Sequence, residues 1–318
     1  MGNLMASLLG AAGQGVLWGI MALGVYITYK LLDIADLTVD GSFALGGCTC
    51  AILILNGMNP ILATLLAVVA GLLAGAVTGV LHTFFNIPAI LAGILTQLSL
   101  WSINLRILGG KSNVPLLNET TIISNFVGRS GSKVIESASP LAQSLGLTQS
   151  QASLVVGIVV VIIIIMAMYW FFGTEIGCTL RATGNNETMI RALGVNTNNT
   201  KLLALMLSNG LVALSGAFVA QMQKYADVGM GQGSIVIALA AIIIGEVIFK
   251  RFINFGAKLT GAVVGAIVYF MIRAIVLYLG LNANDMKLLT AIIVALALCL
   301  PTISQKMAQR KAYTEGDE

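Results

Sequence analysis

Apolar runs about twenty residues long alternate along the chain with shorter polar links, and charge sits mainly in the links. A bilayer's hydrocarbon core, about 30 Å thick, takes roughly 20 apolar residues in a helix. The pattern therefore predicts about nine membrane-crossing helices: Gly13–Leu31, Leu37–Leu55, Pro60–Leu81, Pro88–Leu108, Ala152–Phe172, Leu202–Met222, Ser234–Phe249, Gly256–Leu279 and Lys287–Ile303. Small residues sort these spans. Gly71, Gly75 and Gly79 recur at four-residue spacing in the third, Gly261 and Gly265 in the eighth. That spacing lets helix backbones approach closely in lipid, so both spans are expected in the protein interior. The fifth span, ASLVVGIVVVIIIIMAMYWFF, carries no charged side chain and is nearly all Val and Ile before Tyr169 and Trp170. It is expected against lipid, with those two rings in the interfacial belt.

Composition makes the class firm. The 318 residues are 58% hydrophobic and 9% charged, with a mean hydropathy of +0.94, where a soluble domain has roughly 25% charged residues. The fold class is all-α polytopic membrane protein, a single transmembrane domain over residues 1–318. The net charge of +4 is spread over the links, a topology signal and not a nucleic-acid surface. Lys and Arg prefer the cytoplasmic side, and Arg181, Arg191 and Lys201, then Lys250, Arg251 and Lys258, then Lys306, Arg310 and Lys311 all fall there if the amino terminus is outside and the carboxyl terminus cytoplasmic. That needs an odd number of spans, as nine is. Residues 110–151 then form an external segment, either a solvated loop or a docking surface, and residues 173–201 a cytoplasmic one. Met1–Ala12 has no basic stretch and no small-residue cleavage site, so no cleaved signal peptide is expected.

An internal repeat accompanies the spans. Ala35-Asp36-Leu37-Thr38-Val39-Asp40-Gly41-Ser42 follows the first span, and Ala226-Asp227-Val228-Gly229-Met230-Gly231-Gln232-Gly233-Ser234 the sixth. Both run from Ala-Asp to a Gly-Ser pair that opens a small-residue helix. The halves, about 13–108 and 202–303, would have opposite orientation. An inverted repeat of this kind is a transporter device that handles solute near the repeat interface.

No catalytic constellation is present. His82 is the single histidine and the four cysteines are scattered, so neither a metal site nor a disulfide framework is expected. Gly110-Lys111-Ser112 resembles the end of a phosphate loop, but Leu105 stands where the motif needs glycine. Ionisable groups inside spans are few. The candidates are Glu246, Arg273 and Lys30: Glu246 is expected to pair with Lys250 and Arg251, Arg273 to line a water-filled path or meet backbone carbonyls, and Asp33, Asp36 and Asp40 to cap helices. Energy for transport then comes from elsewhere. Within Gly177–Asn196, Asn185 can cap a two-turn helix over Asn186–Leu193 that Gly194 ends. Its apolar ridge of Met189, Ile190 and Leu193 is too short to span; it either inserts into a partner's cleft or lies flat on the membrane.

Leu37–Gly47, the Gly177–Asn196 string and Leu207–Ala217 closely resemble the permease subunits of ABC importers in the branched-chain amino acid and ribose group, over about Gly13–Pro301. The Thr-Val-Asp-Gly-Ser-Phe form of the first motif is most similar to the subgroup paired with binding proteins for aromatic amino acids. The resemblance implies a multi-pass permease in the bacterial plasma membrane, with a second permease copy, a cytoplasmic ATPase dimer and an extracytoplasmic substrate-binding lipoprotein. ATP and Mg would sit on the ATPase, and no cofactor on this chain. Coupling to the ATPase would fall to Arg181, Gly184, Asn186, Glu187, Met189, Ile190, Arg191, Leu193 and Gly194. The substrate path would involve Asp40, Gly41, Ser42, Phe43, Gly233 and Ser234. The rival reading is an ion-coupled secondary transporter independent of an ATPase, favoured by the repeat and disfavoured by the scarcity of buried ionisable groups. A membrane enzyme lacks any paired acid, base or nucleophile.

Overall fold

Apolar side chains without interruption and backbone groups that must bond internally leave helix as the only economical solution for this chain in lipid. The computed structural model describes residues 2–127, 129–130, 133–134, 149–250, 254–280, 285, 288, 290–296 and 299. In chain order the helices are α1 (Gly2–Tyr26, continued by a π-helical turn Ile27–Leu31), α2 (Thr38–Leu55), α3 (Pro60–Thr83), α4 (Ala89–Ile107), α5 (Ile122–Val127), α6 (Gln149–Gly173), α7 (Glu175–Asn185), α8 (Glu187–Ala192), α9 (Thr197–Gln223), α10 (Ser234–Ile248) and α11 (Phe255–Tyr278). Two short antiparallel pairs join them: β1 (Asn113–Pro115) with β4 (Tyr225–Asp227), and β2 (Arg129–Ser130) with β3 (Lys133–Val134).

Seven of the described helices are long and apolar enough to cross a membrane, and Ser234–Ile248 is a shorter apolar helix. They match the first eight expected spans to within a few residues, except that α1 starts earlier than Gly13. The ninth, Lys287–Ile303, lies mostly outside the described residues, with 290–296 helical.

Burial corrects one expectation. The central helices are α1, α2 and α9, with 72%, 72% and 67% of their apolar windows buried. The third and eighth spans, expected inside, are half-peripheral. The glycine face of α3 meets α9, Gly71 against Asn209 and Gly75 against Leu205, while Leu62, Leu66, Val69 and Leu73 on the other side are exposed. A small-residue stripe reports one close seam, not the burial of the whole helix. The packing is reciprocal: α3 packs on α9, and Gly15 and Gly19 of α1 pack on Ile267 and Val263 of α11. The fifth span, α6, has 28% of its window buried, with Ile163, Met166 and Trp170 exposed.

Residues 110–127 are not a free solvated loop. β1 pairs with β4, Leu116 and Ile123 are fully buried, and the Ile122 N–H donates to Gln221 Oε1 at 2.9 Å. A second apolar island that the sequence shows in this segment, Leu141–Leu147, lies outside the described residues.

Candidate functional site

Two places collect the residues singled out above, one at the end of the bundle that holds Lys30 and Glu246, the other part-way along it. At the first, α6 turns into α7 through the N-cap Thr174. Gly184 lets α7 lie directly on the Leu31 carbonyl, where any side chain would collide. The Arg181 guanidinium stacks 4.9 Å from the Phe255 ring centroid. Asn185 is the last residue of α7, and it is Asn186 that caps α8. The backbone of Asn186 is extended, and its Oδ1 accepts from the Met189 N–H at 3.0 Å and the Thr188 hydroxyl at 2.8 Å. Gly194, at φ +85°, ends the turn as expected.

Below that turn lies a polar clamp. Glu187 Oε1 accepts from Arg191 Nη2 at 2.9 Å and the Thr197 hydroxyl at 3.1 Å, and Oε2 accepts from Lys201 Nζ at 2.6 Å. These partners, led by the Lys201 bond, hold the Glu187 carboxyl below its ordinary range. Arg191 is thereby engaged within the chain instead of projecting freely. The expected ridge also divides: Ile190 turns inward and is 7% exposed, whereas Met189 and Leu193 are 58% and 69% exposed. The result is a short helix, fixed from behind, that offers two apolar side chains to its surroundings. Thr197 and Lys201 belong to this clamp and were not foreseen. They stand ten and fourteen residues from Glu187, on the first turns of α9, a spacing with no sequence signature.

At the second place, residues 32–37 turn back into the bundle before α2 begins. Gly24 of α1 accepts from the Ser208 hydroxyl and Leu17 from that of Ser215, both at 2.8 Å, so α1 and α9 run antiparallel in register. Asp36 lies one residue from the Gly24 level, with Oδ2 accepting from Asn209 Nδ2 at 2.7 Å and Oδ1 from the Thr38 N–H at 2.9 Å. Helix α2 therefore starts roughly 10 Å inside the end of α1, at 1.5 Å per residue. Asn209 Oδ1 also accepts from the Ser42 hydroxyl at 2.7 Å.

Helix α10 starts inside as well. After β4 the chain descends through residues 228–233, Gly231 packing on the Asp40 carbonyl. The Asp40 carboxylate of α2 then caps α10: Oδ2 accepts from the Gly233 N–H at 2.9 Å, and Oδ1 from the Ser234 hydroxyl at 2.9 Å and the Ile235 N–H at 3.0 Å. At 15 residues α10 is roughly 22 Å long, too short to cross a bilayer. Its far end is tied by Glu246, whose partner among the described residues is Lys30 at 2.8 Å, where Lys250 and Arg251 were expected; Arg251 lies outside the described residues. A broken helix with its N-terminus inside the bundle places a favourable positive end against the part-buried Asp40 carboxylate. Of the three aspartates expected to cap helices, Asp40 caps a helix other than its own, and Asp36 bonds the Thr38 N–H at the start of α2.

Of the six residues expected on a path, Asp40 and Gly41 line a cavity of about 310 Å3 together with Gln97, Trp101, Asn104 and Gln232. Gly233 lines a second, of about 410 Å3, with Gln232, Val236 and Arg273. Ser234 is buried in the cap, Ser42 in its bond to Asn209, and Phe43 is wholly buried with its ring 4.8 Å from Trp18. Those three sit in helix packing. Arg273 has its guanidinium over the Phe270 ring. The α4 residues Gln97, Trp101 and Asn104 were missed, although polar side chains in an apolar span were a readable signal.

Among the described residues no group of three metal-ligating side chains is found. The profile of a protein family described as branched-chain amino acid transport system / permease component matches residues 7–298. The chain is 37% identical over 308 residues to the tyrosine transport system permease protein of Clostridioides difficile, covering 97% of this chain and 96% of that one. It is 24% identical to the ribose import permease protein RbsC of Escherichia coli K12, covering 90% and 82%. A match over nearly the whole chain, joined to the broken helices and the exposed two-turn helix, settles the assignment: the chain belongs to the branched-chain amino acid transport permease family, as a multi-pass membrane permease subunit of an ABC importer and not an enzyme.

Proposed function

We propose that this permease imports an aromatic amino acid, driven by a cytoplasmic ATPase dimer that grips α8, and that two copies of the chain enclose the path. The observation that carries the reading is α8: Met189 and Leu193 stand exposed on a helix fixed by Gly184 packing and the Glu187 clamp. A rigid apolar knob suits insertion into a cleft. A helix lying on lipid needs no such fixture. ATP binding would drive transport by favouring one of two permease conformations. ATP and Mg belong to the partner, and this chain holds no cofactor in the proposal. A substrate-binding lipoprotein would dock at the opposite end, where β1 and β4 pair. The substrate class is supported by the relative named for tyrosine transport, and the reciprocal packing of α3 with α9 and α1 with α11 supports an inverted repeat.

Met189→Asp and Leu193→Asp test the coupling reading. Burying either side chain is worth about 1.5–3 kcal/mol, so each substitution is expected to weaken ATPase retention tenfold or more, and ATP hydrolysis and tyrosine uptake should fall together. Normal retention with normal uptake would leave α8 a membrane-surface element. The proposed orientation, amino terminus outside and carboxyl terminus cytoplasmic, is checked by impermeant thiol labelling of intact cells after replacing Cys178 and Cys299. Asn118→Cys should label and Asn199→Cys should not; the reverse inverts the topology.

A further inference from the structure

Helix α4 presents an apolar flank, Ile90, Leu91, Ile94, Leu95 and Leu98 all exposed, and then breaks its own pattern. Gln97, Trp101 and Asn104 follow one another at four- and three-residue spacing, on one face of the helix. They line the 310 Å3 cavity opposite the Asp40 carboxylate. Asn104 is 1% exposed; its Nδ2 donates to the Gly41 carbonyl at 3.4 Å, while its Oδ1 is buried with no partner among the described residues. A buried acceptor left unsatisfied is costly, and polar side chains facing lipid are costlier still. These groups make sense against a polar solute.

We propose that the cavity between Asp40, Trp101 and Asn104 is a transient site for the transported solute, an aromatic α-amino acid bound as its zwitterion. The chemistry of each wall assigns each group. Asn104 Oδ1, buried at the cavity wall, accepts from the solute's ammonium once the long 3.4 Å bond from Nδ2 to the Gly41 carbonyl gives way and the side chain turns. Asp40 Oδ2, which receives one bond from Gly233, supplies a further lone pair and the opposite charge. The side-chain amides of Gln97 and Gln232 can donate to the carboxylate. Trp101, 45% exposed, offers its face to the ring. Gln232 and Gly233 also line the neighbouring cavity with Arg273, so movement of the segment before α10 would alter both. Because Asp40 caps α10 and borders the site, displacement of its carboxylate would loosen that helix.

This rests on the amino-acid reading above, and the test separates the two. The complete importer, with ATPase and binding protein, is reconstituted in vesicles and supplied with L-tyrosine at saturating binding protein. Uptake by the unaltered importer tests the substrate class, and its absence overturns both readings. Given uptake, Asn104→Leu and Trp101→Leu should each lower the tyrosine moved per ATP hydrolysed about tenfold, on the scale of one charge-assisted bond for Asn104 and of one aromatic contact for Trp101. Hydrolysis stimulated by the loaded binding protein should persist, whereas a folding defect would lower both. An unchanged ratio in both variants overturns the site alone.

A second measurement does not depend on those variants. With Cys178 and Cys299 replaced by Ser, a cysteine in place of Leu98, which also lines the cavity, should react with a water-soluble maleimide (Leu98→Cys), and lipid-facing Ile163→Cys should not. L-Tyrosine and tyramine should slow the reaction at Leu98→Cys, and 3-(4-hydroxyphenyl)propionate, which lacks the ammonium, should not. No labelling at Leu98→Cys, or equal protection by the propionate, overturns the site.

Discussion

Helices α6 and α9 are nearly equal in length, 25 and 27 residues, both cross the bilayer, and yet they live in different solvents. Helix α6 is the more hydrophobic and the less buried. Helix α9 carries Ser208, Asn209, Ser215 and Gln221, all wholly buried and all hydrogen-bonded to other helices or loops. In water the greasier helix would lie inside. In lipid there is no such preference, because the tails are as apolar as leucine, and association depends on close packing and on polar bonds between helices. What separates the two is shape and bonding, and each can be altered singly.

The largest effect is expected where α3 meets α9. A side chain on Gly75 would run into the Leu205 carbonyl and the backbone of Met206, neither of which can swing aside. Gly75→Leu should cost about 3 kcal/mol or more by overpacking and should abolish the folded permease, read as loss of the monodisperse peak after detergent extraction. Full expression and uptake would mean that the α3–α9 seam is not tight.

Next comes the polar half of the comparison. Asn209→Leu removes both the donor to Asp36 and the acceptor for Ser42, leaving a buried carboxylate short of a partner. A loss of about 3 kcal/mol is expected. With the exposed Cys178 and Cys299 replaced by Ser, the wholly buried Cys48 and Cys50 serve as built-in reporters: in Asn209→Leu they should react with a thiol dye at distinctly lower temperature. An unchanged melting curve would show the Asp36–Asn209–Ser42 chain to be ornamental.

The end of α9 gives a pH-dependent test. Lys224 caps the helix outside the membrane span, 8% exposed, and burial pushes its ammonium down from 10.5 to about 8, against a smaller opposing attraction by Glu119. The folded state therefore binds fewer protons than the unfolded one between about pH 8 and 10.5. Stability should rise with pH across that window, with the cost of the buried charge fully felt below it. Lys224→Met keeps the length of the side chain and should flatten the rise by about 1–3 kcal/mol, followed by thiol-dye melting at pH 7.5 and 9.5. A slope that survives the substitution would have another source.

What could be read from the sequence follows the same division. Seven of the expected spans, the apolar run that forms the shorter α10, the glycine seams and the left-handed stop at Gly194 are local or periodic, and they were legible. The join of Asp40 to Ser234, the Lys30–Glu246 pair and the clamp of Glu187 by Lys201 depend on which helices become neighbours, and periodicity carries no such information. The burial of α3 was misjudged because a seam uses one face only. The polar face of α4 was overlooked because its apolar residues already satisfied the expectation for a span.

The smallest effect belongs to α6. Ile163 is 60% exposed on the flank of that helix, and Ile163→Leu exchanges one branched apolar chain for another of the same size. Leucine is the better helix former by a few tenths of a kcal/mol, and lipid accommodates either shape. Expression, melting temperature and uptake should all stay within error of the unaltered permease. A clear loss would show that this flank is a protein contact, with a second copy seated on it, and the contrast between α6 and α9 would then be between two kinds of interface.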